Sequence, residues 1–152
     1  MLRVTKVADY GIVVMTHMAN HPGQLNARDI ARGACLPLPM VSKILKLLSR
    51  EGLLVSHRGT KGGYSLGRQP ETITVADIIR ALEGPIAVTE CTDQIGDCGL
   101  ERLCPVRSNW QRINQAIRHA LEQITLSEMS HPFAERLVNL SGGQPSEGFR
   151  IS

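Results

Sequence analysis

Apolar residues recur along the first half of the chain at helical spacing. Val7, Gly11, Val14 and Met18 succeed one another at intervals of 4, 3 and 4, which is the spacing of one face of a helix. This predicts a helix from Lys6 to Asn20, ended by His21-Pro22-Gly23. Asn26 is suited to cap a second, short helix from Ala27 to about Ala34. Leu36-Pro37-Leu38-Pro39 reads as a connector, because each proline disfavours helical geometry in the residue before it. A third helix is expected from Pro39 to Glu51, closed by Gly52, with an apolar stripe of Val41, Ile44, Leu45 and Leu48. Two β-prone runs come next, Leu53–Arg58 and Tyr64–Leu66, around the glycine-rich turn Gly59-Thr60-Lys61-Gly62-Gly63.

Two helices on a tight connector, the second of them basic, form a helix-turn-helix pattern. A hairpin directly after it reads as a wing. Thr74 is placed to cap a further helix running to about Glu83, and Gly84-Pro85 breaks it. Residues 86–104 have no clear period and read as a loop. From Pro105 to Ile124 the apolar positions are Val106, Trp110, Ile113, Ile117, Ala120 and Ile124, spaced 4, 3, 4, 3 and 4. That is a heptad-like seam on an otherwise polar helix, and it calls for a partner. Thr125-Leu-Ser-Glu128 has the form of a capping box. From Ser141 the chain is rich in Gly, Pro and Ser and is expected to be disordered.

The expected fold is mainly α with a small β-wing: a winged helix-turn-helix plus a long dimerisation helix. Residues 1–83 form the DNA-binding domain, 84–104 a cysteine-bearing loop, 105–140 the dimerisation helix and a C-terminal helical segment, and 141–152 a tail. A chain of 152 residues can bury a core without disulfide staples. No apolar run approaches the roughly 20 residues of a membrane span. The first residues lack the pattern of a secretory signal. A cytoplasmic protein with no membrane partner is the expectation.

Charge sharpens the picture of the first half. Residues 1–67 carry nine Lys and Arg against Asp9, Asp29 and Glu51, whereas residues 68–152 carry eight against eleven acids. A basic N-terminal half suits a polyanion. Lys43, Lys46 and Arg50 fall on one face of the third helix, opposite its apolar stripe, as a recognition helix in the major groove requires. Pro39, Met40 and Ser42 lie near its start, where base edges are read. The wing adds His57, Arg58, Gly59 and Lys61, and its glycines allow a close backbone approach. Double-stranded operator DNA is the expected partner.

Three of the four cysteines crowd into one stretch, Cys91-x6-Cys98-x5-Cys104. In a reducing cytosol such a cluster points to metal or redox chemistry rather than disulfides. Soft thiolates suit zinc or an iron–sulfur cluster. Three reduced thiols, or a thiol switch without metal, fit the spacing as well. Cys35 stands apart and reads as a small buried hydrophobe. The histidines are scattered, and no nucleophile–base or paired-carboxylate pattern suggests an enzyme.

Taken together, the chain resembles the Rrf-two family of winged-helix regulators, the IscR- and NsrR-like proteins, and within it the branch that regulates SUF iron–sulfur assembly genes. The resemblance is carried by Val4–Gly11, Ala27–Ala31, Ser56–Tyr64 and the loop from Glu90-Cys91 to Cys104. It implies a homodimer paired through the long helix by Val106, Trp110, Ile113, Ile117 and Ile124. It also implies a repressor whose 2Fe–2S or 4Fe–4S cluster is held by Cys91, Cys98 and Cys104. The IscR-like pattern has a histidine three residues after the last cysteine. Here that residue is Arg107, which stays protonated and is no ligand. In NsrR-like members an aspartate of the partner's first helix takes the role, and Asp9 stands at that position. His17, Glu90 and Glu101 are further candidates. Two other functions remain open: an iron–sulfur carrier or electron-transfer protein, and a zinc-stabilised DNA-binding protein without a sensing role.

Overall fold

The structure is a computed structural model, and it describes residues 3–89, 92, 99 and 103–131. Cys91, Cys98, Glu90, Glu101 and the tail from residue 141 lie outside the described residues.

Helix α1 spans Lys6–Asn20. Thr5 caps it by accepting the amide of Ala8, and Asp9 sits in the first turn, where a negative charge complements the helix dipole. Helix α2 spans Ala27–Ala34, with the Asn26 side chain accepting the Asp29 amide. Helix α3 spans Leu38–Arg50, one residue earlier at each end than its sequence suggests. Pro37 occupies the cap position and Pro39 the second helical position, where no intrahelical amide is needed. Strands β1 (Leu54–His57) and β2 (Gly63–Leu66) pair antiparallel, Leu54 opposite Leu66 and His57 opposite Gly63. A single 3-10 turn at Pro70–Thr72 leads to α4, Val75–Glu83. Helix α5 spans Arg107–Glu122, with Pro105 and Val106 forming the lead-in. Helix α6 is one turn, Leu126–Met129.

The core is built by α1, which packs against α2, α3, α4 and α6. All four apolar stripe residues of α3 are fully buried, together with Val14, Met15 and Met18 of α1 and Ile30 of α2. Close approach between helices is set by small residues. A side chain at Gly11 would strike Leu82 of α4, and one at Gly33 would strike the ring of His17. His17 is thus packed over α2 and stacked on His21 at 4.3 Å between ring centroids. Burial, and then the neighbouring His21, lower its pKa from the ordinary imidazole value.

The chain returns to this core after α5. Val75 donates to the Ile124 carbonyl at 2.9 Å and Leu126 donates to the Ile73 carbonyl at 2.7 Å, so Thr74 and Thr125 face each other in an antiparallel bridge. Both threonines open capping boxes, Thr74 with Asp77 and Thr125 with Glu128. Leu126 and Ile73 are fully buried. Among the described residues no helix is long and apolar enough to cross a membrane.

Candidate nucleic-acid interface and cysteine segment

Helix α3 exposes Lys43, Lys46 and Arg50 on the side away from its buried stripe. Pro39 is exposed and Ser42 half-buried. Met40 leans inward and packs against the core, which leaves it less free to read a base than its position suggests. A phosphate contact releases counterions without reading sequence. Lys46→Ala is therefore expected to weaken all duplexes alike and to lower the salt slope of binding by about 1. Lys43→Ala should instead change the ranking of operator variants in the same titrations.

The wing presents His57, Arg58, Gly59 and Lys61 to solvent. Gly59 has φ of +113°, a conformation that favours glycine, and its carbonyl accepts the Gly62 amide at 2.9 Å. The His57 Nε2 is 2.8 Å from the Ser65 hydroxyl, which links the two strands.

The contact that fixes the wing relative to the helices is not evident from the motif. Leu25 and Tyr64 exchange backbone hydrogen bonds of 2.9 and 2.7 Å, and the Gln24 side chain donates to the Lys61 carbonyl. The loop between α1 and α2 thus forms a third edge of the hairpin. Gly62 and Gly63 serve this arrangement. A Cβ on Gly63 would stand 2.5 Å from the Leu25 carbonyl oxygen, and one on Gly62 would stand 2.8 Å from that of His57. Both neighbours are backbone and cannot swing aside. Gly63→Ala is expected to cost about 1–3 kcal/mol in urea unfolding and to weaken duplex binding by misplacing Arg58. Unchanged stability and binding would show that the bridge is dispensable.

The cysteines are only partly within view. Cys104 is half-buried and free, three residues before the start of α5. Arg107 is the first residue of that helix. Asp9 is exposed on α1, and its carboxylate forms no hydrogen bond or ion pair among the described residues. The described residues contain no group of three or more His, Cys, Asp or Glu placed to hold a metal. Cys35 corrects its expected burial: it is exposed and adopts a left-handed conformation, φ 56° and ψ 41°. Its amide and that of Leu36 satisfy carbonyls in the last turn of α2, so the residue forms the turn of the helix-turn-helix rather than part of the core.

Val106, at the cap of α5, and Trp110 and Ile113 on it are 44%, 36% and 42% exposed. Ile117 and Ile124 are half-buried within the chain. Ile117 and Leu121 line a cleft of about 390 Å³ with Val4, Ala8, Ile79 and Ile86. The heptad seam thus divides: its first half faces outward and Ile117 belongs also to an internal surface.

Comparison with known proteins agrees with this architecture. The family model Rrf2, described as an iron-dependent transcriptional regulator, matches residues 4–132. The HTH-type transcriptional regulator CymR of Bacillus subtilis is 33% identical over 132 residues, covering 85% of this chain and 90% of that protein. IscR of Erwinia tasmaniensis is 30% identical over 130 residues, covering 84% and 78%. The solved structure of T. potens IscR superposes with a TM-score of 0.66 at 30% identity, covering 97% of this chain and 94% of that one. These relatives are named as transcriptional regulators, not enzymes. With its winged helix and its match over nearly the whole described chain, the protein belongs to the Rrf2 family of DNA-binding transcriptional regulators.

Proposed function

We propose that this chain is a cytoplasmic homodimeric repressor whose affinity for its operator is set by an iron–sulfur cluster, and that its targets are SUF-type iron–sulfur assembly genes. The observation that carries the reading is the placement of Cys104. Its free thiol stands at the entrance to α5, at the end of a segment holding three thiols, and α5 presents an open apolar face. The donor set suits the group. Cys91, Cys98 and Cys104 supply soft thiolates, and the exposed carboxylate of Asp9 in a partner subunit supplies a harder fourth ligand. When bound, the cluster supplies a cross-link that oxygen or iron shortage removes. The residues of this chain do the rest: α5 pairs two subunits, and α3 and the wing of each meet one half-site.

A regulator of cysteine supply is the second reading. It is favoured by the similarity to B. subtilis CymR, whose solved structure is titled the global cysteine regulator and superposes with a TM-score of 0.67 at 32% identity.

Anaerobic isolation with iron and acid-labile sulfide analysis separates the two. Equimolar iron and sulfide are expected, with visible absorption that Cys104→Ser abolishes and Cys35→Ala leaves intact. Asp9→Ala should give a cluster that forms but decays faster in air, because a carboxylate binds iron more weakly than thiolate does. Zinc alone, or no metal, would refute the cluster. Binding that shows no preference for a specific duplex would refute the operator.

A further inference from the structure

Gly84, with φ of +84°, ends α4, and Pro85 cannot carry the helix on. The chain turns there toward α5. Val88 donates its amide to the Oδ1 of Asn114 at 3.1 Å, across 26 residues of sequence. Asn114 is only 5% exposed, the one buried polar side chain among the described residues. Asn114, Ile117 and Leu121 stand at i, i+3 and i+7 of α5 and so share a face. Residues 85–88 border the same cleft as Ile117 and Leu121, with Val4 and Ala8 on the side of α1. One buried hydrogen bond thus pins a wall of the space between α1, α4 and α5.

This cleft, of about 390 Å³, has the size and the mainly apolar walls of a small-ligand site. Val4, beside it, is 56% exposed. Two opposite charges stand on its rim, Arg3 and Glu83. The Thr5 hydroxyl donates to Oε1 of Glu83 and so holds that carboxylate in place, while its Oε2 has no partner among the described residues. The Arg3 guanidinium is exposed and makes no hydrogen bond or ion pair among the described residues, with Glu83 or any other group. The amides of Ile86 and Ala87 also make no hydrogen bond among the described residues. Such donors in an apolar wall are left for water or a ligand.

We infer that the cleft binds a small zwitterion with an apolar body, an α-amino acid with a large apolar side chain. The side chain fills the cleft, Arg3 takes the carboxylate and Glu83 takes the ammonium group. A neutral apolar molecule would leave both rim charges unused, and a simple acid or amine would meet one charge of its own sign. A guanidinium and a carboxylate form charge-assisted hydrogen bonds, stronger than those between neutral groups. Helices α1 and α4 of the winged-helix body bound one side of the site and α5 the other, so the ligand spans the joint between them. None of the cysteines belongs to it.

The test is calorimetric titration of the full-length protein with L-phenylalanine, with 3-phenylpropanoate, which lacks the ammonium group, and with phenethylamine, which lacks the carboxylate. L-phenylalanine is expected to bind saturably, and each analogue about tenfold more weakly. Arg3→Ala should weaken L-phenylalanine and 3-phenylpropanoate about tenfold and leave phenethylamine unchanged. Glu83→Gln should do the reverse, weakening L-phenylalanine and phenethylamine alone. Ala87→Trp, at an exposed wall position, should fill the cleft and abolish binding of all three while sedimentation stays as in the parent. Amide exchange at Ile86, Ala87 and Val88 should slow when L-phenylalanine is bound. Should Glu83→Gln not fold, the three ligands measured on the parent and on Arg3→Ala decide. No saturable binding of L-phenylalanine up to about 10 mM would overturn the inference, as would equal affinity for all three ligands. A parent that binds none of them, with an Ala87→Trp protein that sediments as a monomer, would overturn it too and give the cleft to a second copy of the chain.

Discussion

A protein carrying Ile113→Glu is expected to sediment as a monomer and to lose operator affinity by two or more orders of magnitude. Ile113 lies with Val106 and Trp110 on the outward face of α5, where nothing among the described residues covers it. A second copy packing there would enclose the glutamate, and an uncompensated buried carboxylate costs several kcal/mol, as much as a strong interface hot spot contributes. Two linked half-site readers gain about 10²–10⁴ in affinity over one, and that gain vanishes with the dimer. Ile113 reports on the interface more cleanly than Ile117, because Ile117 also lines the cleft with Val4 and Ala8, so that changing it disturbs the subunit itself. A dimeric Ile113→Glu protein would move the interface to another face.

Leu126→Ala should lower the unfolding free energy by about 2–5 kcal/mol, a large part of the roughly 5–15 kcal/mol typical of a domain. Leu126 is fully buried among residues of the winged-helix core, and α6 packs directly on α1. Its truncation leaves a cavity in the core that Leu126 shares with Ile73 and the buried side chains of α1. Urea unfolding should show a lower midpoint with an unchanged slope. A shift below about 1 kcal/mol would show that the segment after α5 adds little to the domain.

Much of this architecture could be read from local pattern. The stripe Val41, Ile44, Leu45 and Leu48 named the buried face of α3 because a helix places those positions together whatever surrounds it. Thr74 and Thr125 announced their helix starts because a capping box is satisfied within four residues. The features that escaped are set by distant chain. Leu25 carries no strand signal of its own, and its pairing with Tyr64 exists only once α1 and the wing are folded. Leu126 looks like part of a peripheral segment, yet its partner Ile73 lies on the far side of α5 in sequence. Asn114 sits beside an apolar seam and reads as a solvated position, because its amide partner comes from another loop. Residue type alone puts Cys35 inside, but a turn that needs a left-handed residue places it at the surface. Of the candidate interface, the exposure of Lys43, Lys46 and Arg50 opposite the buried stripe of α3 was legible from spacing. Met40 was not, since its inward lean depends on the neighbouring helices.

The bridge between Thr74 and Thr125 bears on how motion passes through the molecule. It ties the short link between α5 and α6 to the start of α4 by two backbone hydrogen bonds, so the chain is anchored two residues beyond the end of α5. The helix of 16 residues is a lever about 24 Å long, welded to the body that carries α3. In a dimer paired through α5, a change of about 5° in how the two levers cross would displace their far ends by about 2 Å. Half-sites one DNA turn apart are about 34 Å from centre to centre, and an error of that size takes a recognition helix out of register with its bases. In such a dimer, a tilt far too small to alter the fold would be enough to alter occupancy of an operator.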